Sequence, residues 1–178
     1  ASVIIVCGGS SSRMNGIDKI FAKIGNMPVV AKTISAFESL KEISKIVIVT
    51  KEESILPMQK LCDEYNFKKV SDIVVGGACR EESVYNGFKM LIDEEQIVLI
   101  HDGARPFVSN EVILRVLSSA KEYSAATCAV NVKDTVKIVK TDGLIVSTPD
   151  RSGLKAVQTP QGFKHSLFKE AIEAADDL

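Results

Sequence analysis

The 178-residue chain has no tryptophan, two histidines and four cysteines, and its 22 Lys and Arg are balanced by 23 Asp and Glu to a net charge of −1. Each shortage excludes something. Near-neutral charge without a basic run removes the electrostatic stripe that a sequence-independent grip on DNA or RNA requires. The longest apolar runs, such as Val3-Ile4-Ile5-Val6-Cys7, reach only about a quarter of a membrane span. No signal peptide stands before that run, so neither a membrane nor a nucleic acid is an expected partner, and the expected compartment is the cytoplasm. Cys7, Cys62, Cys79 and Cys128 lie far apart with no C-x-x-C spacing. They read as reduced thiols in or near a core rather than as zinc ligands. Two histidines also leave no convincing Ser-His-Asp or Cys-His pairing for nucleophilic catalysis.

What is present is ordinary for a globular domain: 46% apolar and 25% charged residues. The length predicts one domain, residues 1–178. Short β-branched runs recur at Val3–Cys7, Lys45–Thr50, Lys69–Val75, Ile97–His101 and Ala126–Val130. Continuous apolar runs of this length fit strands buried on both faces, the habit of parallel sheets. Between them, Pro28–Leu40, Glu53–Tyr65, Glu81–Ile92 and Asn110–Tyr123 carry helical spacing, with Ser109 or Asn110 as a cap for the last. Ser166–Ala175 is a further helix. Alternation of strand and helix predicts an α/β protein, a three-layer Rossmann-like, mostly parallel sheet. After Val130 the rhythm changes: Asp134–Val139 and Leu144–Thr148, joined by Lys140-Thr141-Asp142-Gly143, read as an inserted β-hairpin arm that packs on something else.

Such sheets bind ligands at the carboxyl ends of their strands, and three motifs fall there. The first strand runs into Gly8-Gly9-Ser10-Ser11-Ser12-Arg13-Met14, with Lys19 six residues beyond Arg13. Small residues let backbone N–H groups approach an anion, so this reads as a phosphate cradle, although a flexible turn with two solvated cations fits the same letters. It matches neither G-x-x-x-x-G-K-[ST] nor G-x-G-x-x-G. The third strand is followed by Gly76-Gly77-Ala78-Cys79-Arg80-Glu81-Glu82-Ser83, which is equally a structural diglycine turn. The fourth ends in His101-Asp102-Gly103-Ala104-Arg105-Pro106-Phe107. Asp102 is placed to hold Mg²⁺ and Arg105 to clamp a phosphate; the alternatives are a helix cap and a surface ion pair. His101, closing an apolar strand, reads as a satisfied structural histidine.

These motifs occur in a distinctive order with Asp134-Thr135-Val136-Lys137, Asp150-Arg151-x-x-Leu154 and Gln158-Thr159-Pro160-Gln161-Gly162-Phe163. Together they resemble the 2-C-methyl-D-erythritol 4-phosphate cytidylyltransferase family over essentially the whole chain. The resemblance implies a nucleotidyltransferase that uses CTP and a polyol phosphate, with Mg²⁺ as cofactor. It implies that Gly8, Gly9, Ser10, Ser11 and Ser12 wrap the CTP phosphates, and that Arg13 and Lys19 are the catalytic cations. Gly77, Arg80 and Ser83 fall in its cytidine-recognition segment, Asp102 matches the metal ligand, and Gly103 stands beside it among the nucleotide contacts. Arg105, Thr135, Arg151 and Thr159 match its substrate and active-site contacts. The arm, at about residues 132–157, matches one exchanged across a homodimer, so that Thr135 and Arg151 serve the neighbour's site.

The sequence departs from the family pattern in four places. Cys7-Gly8-Gly9 replaces Ala-Ala-Gly, and Asp18-Lys19 replaces Pro-Lys after a shorter spacer. Ala78 stands where an acidic residue often reads the cytosine amino group, which shifts base discrimination towards backbone groups. The family's C-terminal closing strand and its Asn-x-Lys-[VI]-Thr segment are absent from the 178 residues. Three rivals follow. One is a ribitol 5-phosphate cytidylyltransferase, against which Asp134-Thr135-Val136-Lys137 and Asp150-Arg151 speak. Another is an inactive CTP-binding homologue, motivated by the absent segment. The third, a nicotinamide-dependent dehydrogenase, lacks the dinucleotide fingerprint.

Overall fold

The computed structural model describes residues 1–8, 19–91 and 97–176. Four parallel strands carry the fold: β1 (Ser2–Val6), with β4 (Lys45–Thr50), β5 (Val70–Val75) and β6 (Ile97–Asp102) following two short strands, β2 (Lys23–Ile24) and β3 (Met27–Pro28). With β7 (Ala125–Asn131) and β10 (Lys155–Lys164) they form a six-stranded sheet in the order β5-β4-β1-β6-β10-β7. The order runs outward from β1 in both directions, so the crossovers diverge between β1 and β6, where sheets of this kind open a crevice. Pairing is in register from Ser2↔Lys45 to Val6↔Val49 on one side and from Ser2↔Val98 to Val6↔Asp102 on the other.

Alternation along β1 explains the layers. Val3 and Ile5 face one side with Ile34 and Phe37 of α1 (Val29–Glu38), Met58 and Leu61 of α2 (Ile55–Glu64), and Ile113 and Val116 of α4 (Asn110–Tyr123). Ile4 and Val6 face the other side with Val84 and Phe88 of α3 (Arg80–Phe88), against which Phe168 and Ile172 of α5 (His165–Asp176) pack. Strands apolar on both faces are what a sheet covered by helices on both sides demands. Ser109 caps α4, its side chain accepting from the Val112 N–H. The expected three-layer α/β architecture is therefore present.

Three features differ from the sequence pattern. The segment holding Gln158-Thr159-Pro160-Gln161-Gly162-Phe163 belongs to a ten-residue strand, β10, that enters the sheet antiparallel between β6 and β7. Its Pro, Gly and polar letters argue against a central strand, and the sheet accommodates them with a register shift between Val157 and Gln161 and a cis Thr159–Pro160 bond. The helix expected at Glu81–Ile92 closes at Phe88, and Ile92 lies outside the described residues. The hairpin arm is shorter than its expected bounds, pairing only β8 (Ile138–Val139) with β9 (Ile145–Ser147) through Gly143 at φ +84°. That left-handed turn is what Asp-Gly supplies. Ile138, Val139, Leu144, Ile145 and Val146 are all more than half exposed.

Candidate active site

The strand ends on either side of the divergence point open into a cavity of about 590 Å³. β1 contributes Val6, Cys7 and Gly8; β4 contributes Thr50 and Lys51; the turn after β5 contributes Gly76 to Arg80; and β6 contributes Asp102. Asp102 is the sole acidic side chain in the cavity wall among the described residues.

Asp102 is a junction. Its Oδ1 accepts from Arg80 Nη2 at 3.3 Å and its Oδ2 from Arg105 Nε at 2.9 Å, while its backbone N–H donates to Thr159 Oγ1 at 3.2 Å. It caps no helix. The carboxylate is about one third exposed, so the two ion pairs add little stability. Their effect is orientation, with two guanidinium groups and one carboxylate leaving a surplus positive charge at the cavity mouth. The turn that follows is pinned from three directions. Gly103 N–H donates to the Val6 carbonyl at 2.8 Å, and its own carbonyl accepts from Thr33 Oγ1 of α1 at 2.8 Å. A Cβ on Gly103 would lie 2.4 Å from Cys7 Sγ, so only glycine lets the β1 and β6 ends approach this closely. His101 Nε2 lies 3.2 Å from the Arg105 carbonyl. A carbonyl only accepts, so Nε2 carries the hydrogen in the tautomer this bond assigns. Burial lowers the His101 pKa to about 4, keeping the ring neutral. Its Nδ1 has no partner among the described residues, so the histidine is structural but half satisfied rather than fully satisfied.

The turn after β5 is built around two side chains of α3. Ser83 Oγ accepts from the Gly77 N–H at 3.0 Å and donates to the Cys79 carbonyl at 2.8 Å. Glu82 Oε2 accepts from the Ala78 N–H at 2.7 Å. A Cβ on Gly76 would stand 2.9 Å from Ser83 Oγ, and one on Gly77 would stand 2.2 Å from Glu82 Cγ. The diglycine exists to seat those side chains. Cys79 is exposed and lines the cavity, which corrects the expectation that all four thiols are core or near-core; Cys7 and Cys62 are buried and Cys128 is partly buried.

Lys19 is exposed at the junction of the main cavity with a second one of about 650 Å³ that also includes Arg105, Phe107 and Thr159. Ile20, buried beside it, takes the Val30 N–H at the start of α1 through its carbonyl, which anchors the lysine's backbone. Gly9, Ser10, Ser11, Ser12 and Arg13 lie outside the described residues. The chain does not bring the arm residues to this cleft: Thr135 is exposed, and Arg151 donates to the Lys133 carbonyl at 2.8 Å beside a separate cavity of about 610 Å³. Thr50 and Lys51 escaped the sequence reading, although the carboxyl-end rule applied to Lys45–Thr50 points straight at them. Among the described residues no three His, Cys, Asp or Glu side chains cluster as a metal cage. A single carboxylate fits Mg²⁺, which takes one or two carboxylates and completes its shell with water and phosphate oxygens, and does not fit zinc. No described helix is long and apolar enough to cross a membrane.

A cation-rimmed cleft at the divergence point of a three-layer sheet, walled by strand-end turns, defines a nucleotide-handling α/β enzyme of the nucleotidyltransferase class. The chain belongs to the 2-C-methyl-D-erythritol 4-phosphate cytidylyltransferase family (IspD), whose model matches residues 1–177. It is 43% identical over 173 residues to the cytidylyltransferase of that name from Clostridium botulinum strain Okra, covering 97% of this chain and 76% of the relative. It is 46% identical over 175 residues to that of Bacillus cereus strain ATCC 10987, covering 98% and 76%. Among solved structures, 4-diphosphocytidyl-2C-methyl-D-erythritol synthase from Anaerococcus prevotii superimposes with a TM-score of 0.86 at 31% identity, covering 99% of this chain and 75% of that one. The chain thus spans about three quarters of the length of these relatives.

Proposed function

We propose that the protein transfers CMP from CTP to 2-C-methyl-D-erythritol 4-phosphate and releases pyrophosphate, a step of isoprenoid precursor synthesis by the non-mevalonate route. The observation that carries this reading is the convergence of Arg80, Asp102, Arg105 and Lys19 with the Gly76-Gly77 turn on one switch-point cleft, in a chain of this family. A phosphate monoester has its second pKa near 6, so the attacking oxygen is already anionic at neutral pH. It bonds to the α-phosphorus of CTP, the bond from that phosphorus to the β-phosphate oxygen breaks, and pyrophosphate departs with the charge. No general base is needed, in keeping with a cleft whose one nearby imidazole, His101, is buried and neutral.

What the reaction needs is fixed positive charge where two polyanions meet and a leaving group gains charge. Lys19 and Arg13 supply it at the α-phosphate. Gly8, Gly9, Ser10, Ser11 and Ser12 wrap the CTP phosphates, Gly77, Arg80, Ser83 and Gly103 contribute to the nucleotide site, and Arg105 and Thr159 meet the alcohol phosphate. Asp102 holds Mg²⁺, which when bound neutralises phosphate charge and aligns the polyphosphate. An arm at about residues 132–157 joins two copies, carrying Thr135 and Arg151 to the neighbour's site. The exposed apolar residues of β8 and β9 support that homodimer. The compartment is the cytoplasm, where CTP and reduced thiols coexist.

Pyrophosphate release from CTP and Mg²⁺ tests this reading, with 2-C-methyl-D-erythritol 4-phosphate and ribitol 5-phosphate offered in turn. Release with the former and little with the latter is expected. Release with ribitol 5-phosphate alone, or CTP binding without release from either, overturns it.

A further inference from the structure

Three consecutive N–H groups of the turn between β5 and α3 are consumed inside the protein. Gly76 donates to the Thr50 carbonyl at 2.8 Å, Gly77 to Ser83 Oγ at 3.0 Å and Ala78 to Glu82 Oε2 at 2.7 Å. Among the described residues, the carbonyl oxygens of the same three residues have no hydrogen-bond partner, and all three residues line the main cavity. A glycine turn ahead of a helix ordinarily offers free N–H groups to an anion. Here the capacity left over is that of an acceptor. An acceptor edge takes a donor, and on a pyrimidine ring that is the 4-amino group of cytosine; the 4-oxo group of uracil would set lone pair against lone pair.

Glu82 maintains this state from outside the cavity wall. It occupies the third position of α3, its own N–H donates to Cys79 Sγ at 3.4 Å, and its carboxylate reaches back to the turn in the manner of a capping box. Gly77 lacks the Cβ that would collide with it. We propose that Glu82 is a specificity-determining positioning residue: by holding the Ala78 N–H it keeps the turn an acceptor surface and so selects an amino-bearing pyrimidine nucleotide over its oxo counterpart. This rests on the reading that the nucleotide base docks against the Gly76–Cys79 turn.

The test is the ratio of kcat/KM for CTP to that for UTP, with 2-C-methyl-D-erythritol 4-phosphate saturating, in the wild type, Glu82→Ala and Glu82→Gln. The ratio is independent of how much protein is folded. Gln keeps an oxygen acceptor on a side chain of the same length, so its ratio stays near the wild-type value. Ala frees the Ala78 N–H to receive the uracil oxygen, and the ratio falls roughly fivefold to tenfold, the worth of one neutral hydrogen bond. An unchanged ratio in Glu82→Ala, an equal fall in Glu82→Gln, or a wild type without preference overturns the proposal. Equilibrium binding of CTP and UTP gives the same ratio without turnover, so absence of transfer counts against the proposed reaction while the binding ratio still decides the role of Glu82.

Discussion

Lys19 and His101 illustrate two ways in which a single residue serves the cleft. Lys19 is exposed where the two cavities meet, and the proposed reaction assigns its ammonium to the reacting phosphates. Removing a preorganised charge of this kind costs about 3–4 kcal/mol in barrier. Lys19→Ala is therefore expected to lower kcat by at least two orders of magnitude with little change in the urea midpoint, and a near-normal kcat contradicts its role. His101 acts through the Arg105 carbonyl, and burial gives it a pH signature. Its folded pKa of about 4 lies below the 6.5 of a free imidazole, so the unfolded chain binds the proton first. Stability from this group is complete above pH 6.5 and falls as pH drops, levelling off near pH 4 after a loss of about 3 kcal/mol. His101→Gln, whose amide can still donate to that carbonyl, removes this slope. Urea midpoints at pH 7 and pH 4.5, taken without Mg²⁺, are expected to differ more in the wild type than in the variant. Asp102, Arg80 and Arg105 were legible as letters because they follow strand ends. Thr33 was not, because its part in fixing the turn arises from a contact with Gly103, 70 residues away.

At the level of elements, helix α3 shows how close packing overrides local preference. Gly87 lies inside the helix, where glycine is disfavoured relative to alanine by roughly 1 kcal/mol. A Cβ there would lie 2.6 Å from Ile4 Cγ2 and 2.8 Å from Val49 Cγ2, so the helix rests on β1 and β4 through a gap only hydrogen fills. Gly87→Ala is expected to destabilise the protein by about 1–3 kcal/mol despite its better helix propensity, read as a lower urea midpoint with unchanged slope. A more stable variant contradicts the packing. The parallel strands and the helices between them were legible because periodicity and burial agree along them. β10 was not, since Pro160 and Gly162 interrupt its strand signal. Its place follows from what it touches: Gly162 lets it approach Leu99 and Ala120, and Thr159 reaches the Asp102 N–H. The strand is thus both sheet and site, and its composition follows the second duty.

The whole molecule leaves one part of the proposed site unassembled within a single chain. Arg151 and Thr135 stay on an arm whose apolar residues face solvent. A subunit-shared site makes a sharp expectation: equal mixtures of Lys19→Ala and Arg151→Ala chains, each nearly inactive alone, recover about a quarter of wild-type activity, because half of the dimers hold one intact site. Activity that stays at the sum of the two variants contradicts sharing. The central claim is the reaction itself, and ³¹P NMR of CTP, Mg²⁺ and 2-C-methyl-D-erythritol 4-phosphate with the wild-type protein follows every phosphorus in it. The expected result is loss of the monoester signal with matched growth of diphosphate-ester and free pyrophosphate signals. A monoester signal that persists while CTP is unchanged, or is merely hydrolysed to CMP and pyrophosphate, contradicts cytidylyl transfer by this cleft.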